Sequence, residues 1–396
     1  MSDVLIAGAG PAGLTLALRL ARQGVRVTVL EALDAPDRDL RASTFHPPTL
    51  DLLEEDGITP QLIAHGLVAP TWQVRMHATG AAAVFDLGIL RDHTRHPYRV
   101  QCEQSKLVNF LLAHLASHHP EVEVRFGHRV LGFEQTAGGV TVESESAEGR
   151  HSLHAAYLVG CDGAKSAVRK TLDLGFEGET FPEIVILAAT PFPFHEHLAN
   201  LSFINYCWSE TGTFSLLRLP QLWRVSLYPD ADETPEQALE DASIERKLQR
   251  ICPQPQPYLL TAKRSYRIHQ RVVARYRTGR VVLAGDAAHI NSPSGGMGMN
   301  GGIHDAFNLA DKLVTALQND DLAPLDHYER QRRPVALEHV LAQSGRNRAR
   351  MQERDPARRA AALADLQAIA GDPARALQHL LNTSMITGLR QSLATS

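Results

Sequence analysis

The chain has 396 residues, 44% of them hydrophobic, with 28 Gly and 22 Pro, a composition that excludes collagen-like and low-complexity chains. Lys and Arg total 40 against 44 Asp and Glu, a formal charge of −4, which argues against nucleic acid or an anionic membrane as the main partner. A chain of this length buries ample core and carries a prior of roughly two to three domains.

Val4-Leu5-Ile6-Ala7 is a short apolar run that predicts a buried strand, Gly8 to Gly13 a turn, and Leu14 to Arg22 a helix ending at Gly24. Arg26 to Glu31 alternates and ends acidic, as a second strand of one βαβ unit would. The lack of a positive leader and the interruptions at Gly8, Gly10, Pro11 and Gly13 argue against reading Val4–Leu20 as a secretory signal. Helices are expected over Thr49–Glu55 and Ser105–Ser117, a strand over Val122–Phe126, a hairpin over Leu131–Glu143 turning at Gly138-Gly139, and a strand at Tyr157–Cys161.

From about Gly175 the texture changes to short strand-like runs at Ile184–Ala188, Leu201–Trp208, Thr213–Leu219 and Leu222–Tyr228, separated by prolines. That pattern predicts an antiparallel sheet. One helix is expected over Pro235–Ile251, then a strand at Arg280–Ala284 and a helix at Gly302–Leu317. The tail reads as helical, with Asp355 and Asp372 as N-caps ahead of Pro356 and Pro373. No run reaches about 18 uninterrupted apolar residues, so no membrane span is expected. Cys102, Cys161, Cys207 and Cys252 are scattered with no CxxC pair, which predicts neither a zinc site nor a disulfide framework and fits a cytoplasmic location.

Gly8-Ala9-Gly10-Pro11-Ala12-Gly13 is a GxGxxG placed directly between strand and helix. Gly8 makes the tight turn, Gly10 lets a pyrophosphate approach the backbone, and Gly13 lets helix and strand pack closely. Phosphates would then sit on the helix N-terminus, and Glu31, 18 residues on, would accept hydrogen bonds from ribose hydroxyls. The alternative is a glycine-rich turn that only packs a helix. The motif does not choose between NAD and FAD.

Two later segments do. Gly160-Cys161-Asp162-Gly163 follows one buried strand, and Gly285-Asp286-Ala287-Ala288-His289 follows another and leads through Pro293 into Gly295–Gly302. With Arg41-Ala42-Ser43, Gln104 and the Asp305–Leu313 stretch, the chain resembles the single-component flavoprotein aromatic hydroxylases, the para-hydroxybenzoate hydroxylase family. The resemblance covers about residues 1–350, with 175–265 matching in texture only. It implies an α/β fold with a Rossmann-like FAD-binding domain at 1–72, 97–174 and 264–350. A β-sheet substrate domain would occupy 73–96 and 175–263, with C-terminal helices at 351–396.

The resemblance also implies site residues. Asp286 would accept hydrogen bonds from the flavin's ribityl hydroxyls, and Gly298, Met299 and Asn300 would offer backbone N–H groups to its pyrimidine edge. Gly8, Gly10, Ala12, Gly13 and Glu31 would hold the dinucleotide, Arg41 and Gln104 its middle, and Asp162 would serve cofactor and nicotinamide binding. Arg41 has an alternative as an ion-pair partner of Asp37 or Asp39, and Asp162 as a structural turn. The implied reaction uses NAD(P)H and O2 to hydroxylate a small phenolic or hydroxylated N-heteroaromatic substrate through a flavin C4a-hydroperoxide, in a monomer or homodimer. Three acids against one base in Asp34–Asp39 predict that NADH serves as well as NADPH.

The catalytic group is not identified; His46 and Pro293 are candidates, and His93, His96 and His289 also lie near segments expected at the site. No HExxH or similar spacing suggests a metal, and no GxSxG elbow a hydrolase. One face of Leu201–Trp208 is expected to line the substrate pocket, either Ser202, Ile204, Tyr206 and Trp208 or Phe203, Asn205 and Cys207. Arg218 and Arg224 could clamp a substrate carboxylate, although surface or ion-pair roles compete. Gly298 is expected to need glycine's backbone freedom and Gly149 to tolerate valine. The rival readings are a flavin-dependent halogenase or dehydrogenase on the same fold, or a non-catalytic flavin-binding sensor; Trp72, Trp208 and Trp223 make no halogenase motif.

Overall fold

The computed structural model describes residues 2–39 and 41–396. Five parallel strands form the centre of the first sheet, in the order Val281–Leu283, Tyr157–Gly160, Val4–Ala7, Val27–Leu30, Glu123–Arg125, with Arg277–Thr278 antiparallel at one edge. Val4–Ala7, Val27–Leu30, Tyr157–Gly160 and Val281–Leu283 are buried throughout, as expected for parallel strands covered on both faces. Helices Pro11–Ala21 and Met297–Asn319 pack on this sheet and on each other.

The second sheet has eight strands, ordered His289–Ile290, Ala262–Val273, Phe176–Thr190, Trp223–Leu227, Gly212–Arg218, Ile204–Ser209, Thr71–Met76, Ala82–Asp86. All pairs are antiparallel except Ile204–Ser209 with Thr71–Met76. Helix Asp241–Ile251 covers one part of it through Ile244, Leu248 and Ile251. The tail helices Pro356–Gly371 and Pro373–Thr383 cover another, with Leu363, Leu366 and Leu380 against Trp72 and Phe85. Asp355 and Asp372 do cap these helices, accepting from the N–H groups of Arg358 and of Ala374 and Arg375.

Several expectations shift. The expected boundaries at 72/73 and 263/264 fall inside strands of the second sheet, Thr71–Met76 and Ala262–Val273; by strand membership the first would move earlier, to before Thr71, and the second later, to after Val273. The helix expected over Pro235–Ile251 is two helices, because Thr234 and Gln237 close a capping box on the first and Glu240 is extended before the second. The helix expected from Gly302 begins at Met297. Glycine is a poor helix former, which hides the start. These glycines are there for packing: a Cβ on Gly302 would stand 3.1 Å from Gly285 Cα and 3.4 Å from Ala12 Cβ. Among the described residues, no helix is long and apolar enough to cross a membrane.

Candidate active site and cofactor cleft

The first turn folds as its glycines require. Gly8 has φ +102, and a Cβ there would lie 2.5 Å from the Cys161 carbonyl oxygen; one on Gly13 would lie 2.0 Å from Gly8 O. A Cβ on Gly10, in contrast, would meet nothing within 4 Å. Gly8 and Gly13 are therefore fixed by packing, while Gly10 faces open space at the N-terminus of Pro11–Ala21, where an anionic group is favoured. Glu31 is held there by the N–H groups of Ala9 (2.8 Å) and Leu33 (3.0 Å), each bonding a different carboxylate oxygen.

The Gly285–Ala287 turn leaves the C-terminal end of its strand and exposes Asp286. Desolvation by the surrounding protein raises the Asp286 carboxyl above its ordinary range, and His289 and Arg41 oppose that rise. Behind the turn, Asp305 accepts from Gly285 N–H at 3.0 Å, His289 Nε2 at 2.7 Å and Arg332 Nε at 2.7 Å. Asp305, His289 and Arg332 are all buried, so this network anchors the turn from its protein side.

Pairing of Ala42–Thr44 with Gln101–Gln104 carries Arg41 and Gln104 to the same place: Gln104 N–H donates to Ala42 O and Cys102 N–H to Ser43 O. Arg41 is exposed and bonds Asp37 at 2.8 Å, the ion pair the sequence offered as its alternative. Asp162 spends one oxygen on the N–H groups of Ala167 and Val168, capping the helix Ala167–Thr171, while its other oxygen is buried without a partner. Desolvation raises its pKa against those bonds.

The Asn291–Gly296 loop departs most from expectation. The left-handed residues are Gly295 (φ +102) and Gly296 (φ +68), whereas Gly298 sits in ordinary helical backbone. Pro293 is exposed, and its carbonyl closes a turn on Gly296 N–H at 3.0 Å. Because the helix begins at Met297, its own ladder already uses Asn300 N–H, leaving Gly298 and Met299 as free donors. Asn300 instead works through its side chain, accepting from His46 N–H and donating to Thr44 O and Gly296 O. His46 is fully buried, and its Nε2 must donate to Gly295 O at 2.8 Å, which leaves Nδ1 unprotonated and without a partner. Burial, with the Arg99 charge nearby, holds its pKa well below the ordinary value. His46 thus pins the loop, His96 pairs with Asp51, and His93 accepts from Arg390.

A small cavity opens against this loop at Ser294 and Gly295. Trp72, Val74 and Tyr206 form its sheet wall, which selects the Tyr206 face of Ile204–Ser209. Asn347, Arg350, Met351 and Thr383 close the other side, and Arg99 lies between. Trp208 Nε1 fixes the far wall by donating to Arg350 O at 3.0 Å. Arg218 and Arg224 are not among the lining residues: Arg218 stacks on Phe203, and Arg224 bonds Ser43. Sequence reading missed Trp72, Arg99, Asn347, Arg350 and Thr383. The alternation Trp72/Val74 on a strand could have revealed the first, but the tail residues reach the cavity only through tertiary packing. Likewise, the turns of the Arg129–Ala155 hairpins bring ligand atoms of His128, Glu148 and His151 within 4.8 Å of one another, a grouping with no local spacing signal.

A glycine turn, an acid at the second strand and an aspartate turn beside a helix N-terminus are the elements of a dinucleotide-binding α/β oxidoreductase. The FAD binding domain model matches residues 1–343, and the chain belongs to that family. It is an enzyme of the FAD-dependent aromatic monooxygenase class. It is 34% identical to para-nitrophenol 4-monooxygenase of Pseudomonas sp. (strain WBC-3), over 98% of this chain and 97% of that one. It is 33% identical to 6-hydroxy-3-succinoylpyridine 3-monooxygenase of Pseudomonas putida (strain DSM 28022 / S16), over 87% of each. The crystal structure of p-nitrophenol 4-monooxygenase from Pseudomonas putida DLL-E4 superimposes with a TM-score of 0.92 at 31% identity, covering 98% of both chains.

Proposed function

We propose that this enzyme takes electrons from NAD(P)H and one oxygen atom from O2 to hydroxylate a phenol or a hydroxylated N-heteroaromatic ring. The observation that carries the reading is the cavity walled by Trp72 and Tyr206, which opens directly on the Ser294–Gly295 loop ahead of helix Met297–Asn319. The relatives above act, by their names, on a nitrophenol and a hydroxypyridine. Bound FAD supplies the oxygen-activating redox chemistry.

The residues of the chain divide the remaining work. The free space at Gly10 would admit the pyrophosphate, and Glu31 would accept from a ribose hydroxyl. Asp286 would accept from the ribityl chain, with Arg41 and Gln104 near the cofactor's middle. The free N–H groups of Gly298 and Met299, at the positive end of a 23-residue helix, would stabilise negative charge on the reduced flavin's pyrimidine edge. The Trp72, Val74, Tyr206 and Met351 side chains of the lining would help to exclude water, which favours oxygen transfer over loss as peroxide.

The test is oxidation of NADH or NADPH by the FAD-loaded protein with a panel of phenols and hydroxypyridines. Stimulated oxidation with product heavier by one oxygen is expected. Nucleotide oxidation that no ring compound stimulates, with no oxygenated product, would sink the proposal.

A further inference from the structure

A ring nitrogen of His128, one of His151 and a carboxylate oxygen of Glu148 lie within 4.8 Å of one another, and none of the three residues lines the cavity. The hairpins explain the convergence. Val130, Ser144 and His151 stand opposite one another across the strands Arg129–Thr136, Gly139–Ser146 and Gly149–Ala155, and so share one face. His128 and Ser146 lie one alternation step along the same face, which brings the two imidazoles to 5.0 Å between ring centres. Glu148 comes from the tight turn Ala147-Glu148, where Gly149 takes φ +120. Ser146 Oγ already joins two of the three, contacting His151 Nε2 at 2.8 Å and donating to Glu148. His128 Nδ1 is shielded from solvent without a hydrogen-bond partner, which is uncommon for a polar atom in a native fold. The Ser146 hydroxyl and then the Glu148 backbone N–H hold the Glu148 carboxyl below its ordinary range, with smaller contributions from the two imidazoles, so it stands there as an anion.

We infer that His128, Glu148 and His151 form a site for a divalent transition-metal cation of the zinc class, with the fourth position left to water. Two imidazoles and one carboxylate suit zinc and its neighbours, whereas magnesium and calcium take oxygen-rich ligand sets. Metal bonds of about 2.0–2.2 Å in a tetrahedron place the donors roughly 3.3–3.6 Å apart, so the three must draw together by no more than about 1.5 Å. Glu148 is exposed on its turn and both histidines are only half-buried, which leaves that movement to side-chain rotation. Ser146 releases its bridge by turning about one bond. The backbone of His128 gives the ion something to hold: its N–H donates to Glu31 O at 2.8 Å, and Gly127 N–H donates to Leu33 O at 2.8 Å. A bound metal would therefore fasten the outer hairpin to the end of the strand Val27–Leu30, and it needs neither flavin nor ring substrate to do so.

Equilibrium dialysis of the FAD-loaded protein against ZnCl2, with elemental analysis of the bound metal, tests the site. The tightest zinc should bind as one ion per chain, and MgCl2 should not displace it. Losing even an outer partner of a metal ligand typically costs about 10–100-fold in affinity, so His128→Ala and His151→Ala should each weaken this zinc by more than about tenfold. Glu148→Gln, an exposed and nearly isosteric change, should weaken it too and guards against a variant that fails to fold. His114 and His118 stack at 4.2 Å one helical turn apart on Gln104–His118 and are the obvious competing chelators, so His118→Ala is the control and should leave the tightest zinc unchanged. Bound zinc should also slow amide exchange over residues 146–151 in the wild type and not in His128→Ala. No retained zinc, retention that survives both hairpin histidine substitutions, or loss that follows His118→Ala overturns the site. Exchange at 146–151 that zinc leaves unaltered overturns its role as a fastener.

Discussion

Arg332 donates through Nε to Asp305 Oδ1 at 2.7 Å, with 1% and 0% of the two side chains exposed. Removing one partner of such a pair leaves the other charge stranded, at a cost of about 3–5 kcal/mol. Asp305→Asn should therefore lower the thermal midpoint markedly and, by loosening Gly285, reduce FAD retention. The pH dependence has a defined sign. Burial raises the Asp305 carboxyl, but Arg332 and His289 more than offset this and hold it at about 2, below the ordinary 3.8. A depressed folded-state pKa gives stability that is fully present above the unfolded value and lost as pH falls through the folded one. The gap between wild type and Asp305→Asn should stay constant from pH 5 to 8, then shrink below about pH 4. A gap that widens in acid contradicts it.

Gly296→Val should weaken FAD binding and divert electrons to H2O2. Its φ is +68, and its Cβ would stand 3.0 Å from Thr44 Cβ, so the substitution combines backbone strain of about 1–3 kcal/mol with a contact beside the flavin loop. Gly298→Ala should be milder, since its Cβ would meet only the tip of the Asn291 side chain, at 2.8 Å. Gly149 is not a neutral control, because its φ is +120; Gly175, with ordinary φ and nothing within 4 Å, is the better one. Peroxide yield per nucleotide oxidised ranks the three variants. A Gly296→Val enzyme as well coupled as Gly175→Ala refutes the ranking.

Asp372→Ala should cost about 1 kcal/mol, within the 0.5–2 range for a lost N-cap. The Asp372 carboxylate bonds the N–H groups of Ala374 and Arg375 at 2.9 and 3.0 Å. The helix it starts ends at Thr383, whose carbonyl accepts from Arg99, so a weakened KM should accompany the lower melting midpoint. Unchanged stability by chemical denaturation would speak against this cap.

Discrimination between NADH and NADPH should stay within about tenfold in kcat/KM, or about 1.4 kcal/mol. The acids of Asp34–Asp39 that would repel an extra phosphate are largely compensated: Asp37 bonds Arg41, and Asp39 lies 3.5 Å from Arg264. One remaining exposed charge acts over only about 8–10 Å at ordinary salt. A larger preference for either nucleotide would contradict this balance.

The cofactor half was legible because its constraints are local. Gly8 and Gly13 sit where a Cβ would strike backbone, and Asp286 where a strand ends, so type and spacing carry the message. The loop before Met297 was only half legible. Its glycines marked a close approach, but whether 295–296 or 298 held the left-handed backbone depends on where the helix starts, which packing against Gly285 decides. Arg99 was illegible. In sequence it is one arginine among several, and only burial without a carboxylate partner distinguishes it.

The cavity wall is assembled from segments that carry none of the flavin motifs: a strand at 71–76, another at 204–209, and helices near 347–351 and 383. Among the described residues, only Ser294 and Gly295 belong both to this cavity and to the loop proposed to meet the cofactor. Under the proposed function, substitutions in this wall would change the fit of the substrate and leave the cofactor loop intact. Directed evolution of new ring specificities under the proposed function should begin with residues 347–351 and 383 and leave the glycine loop untouched.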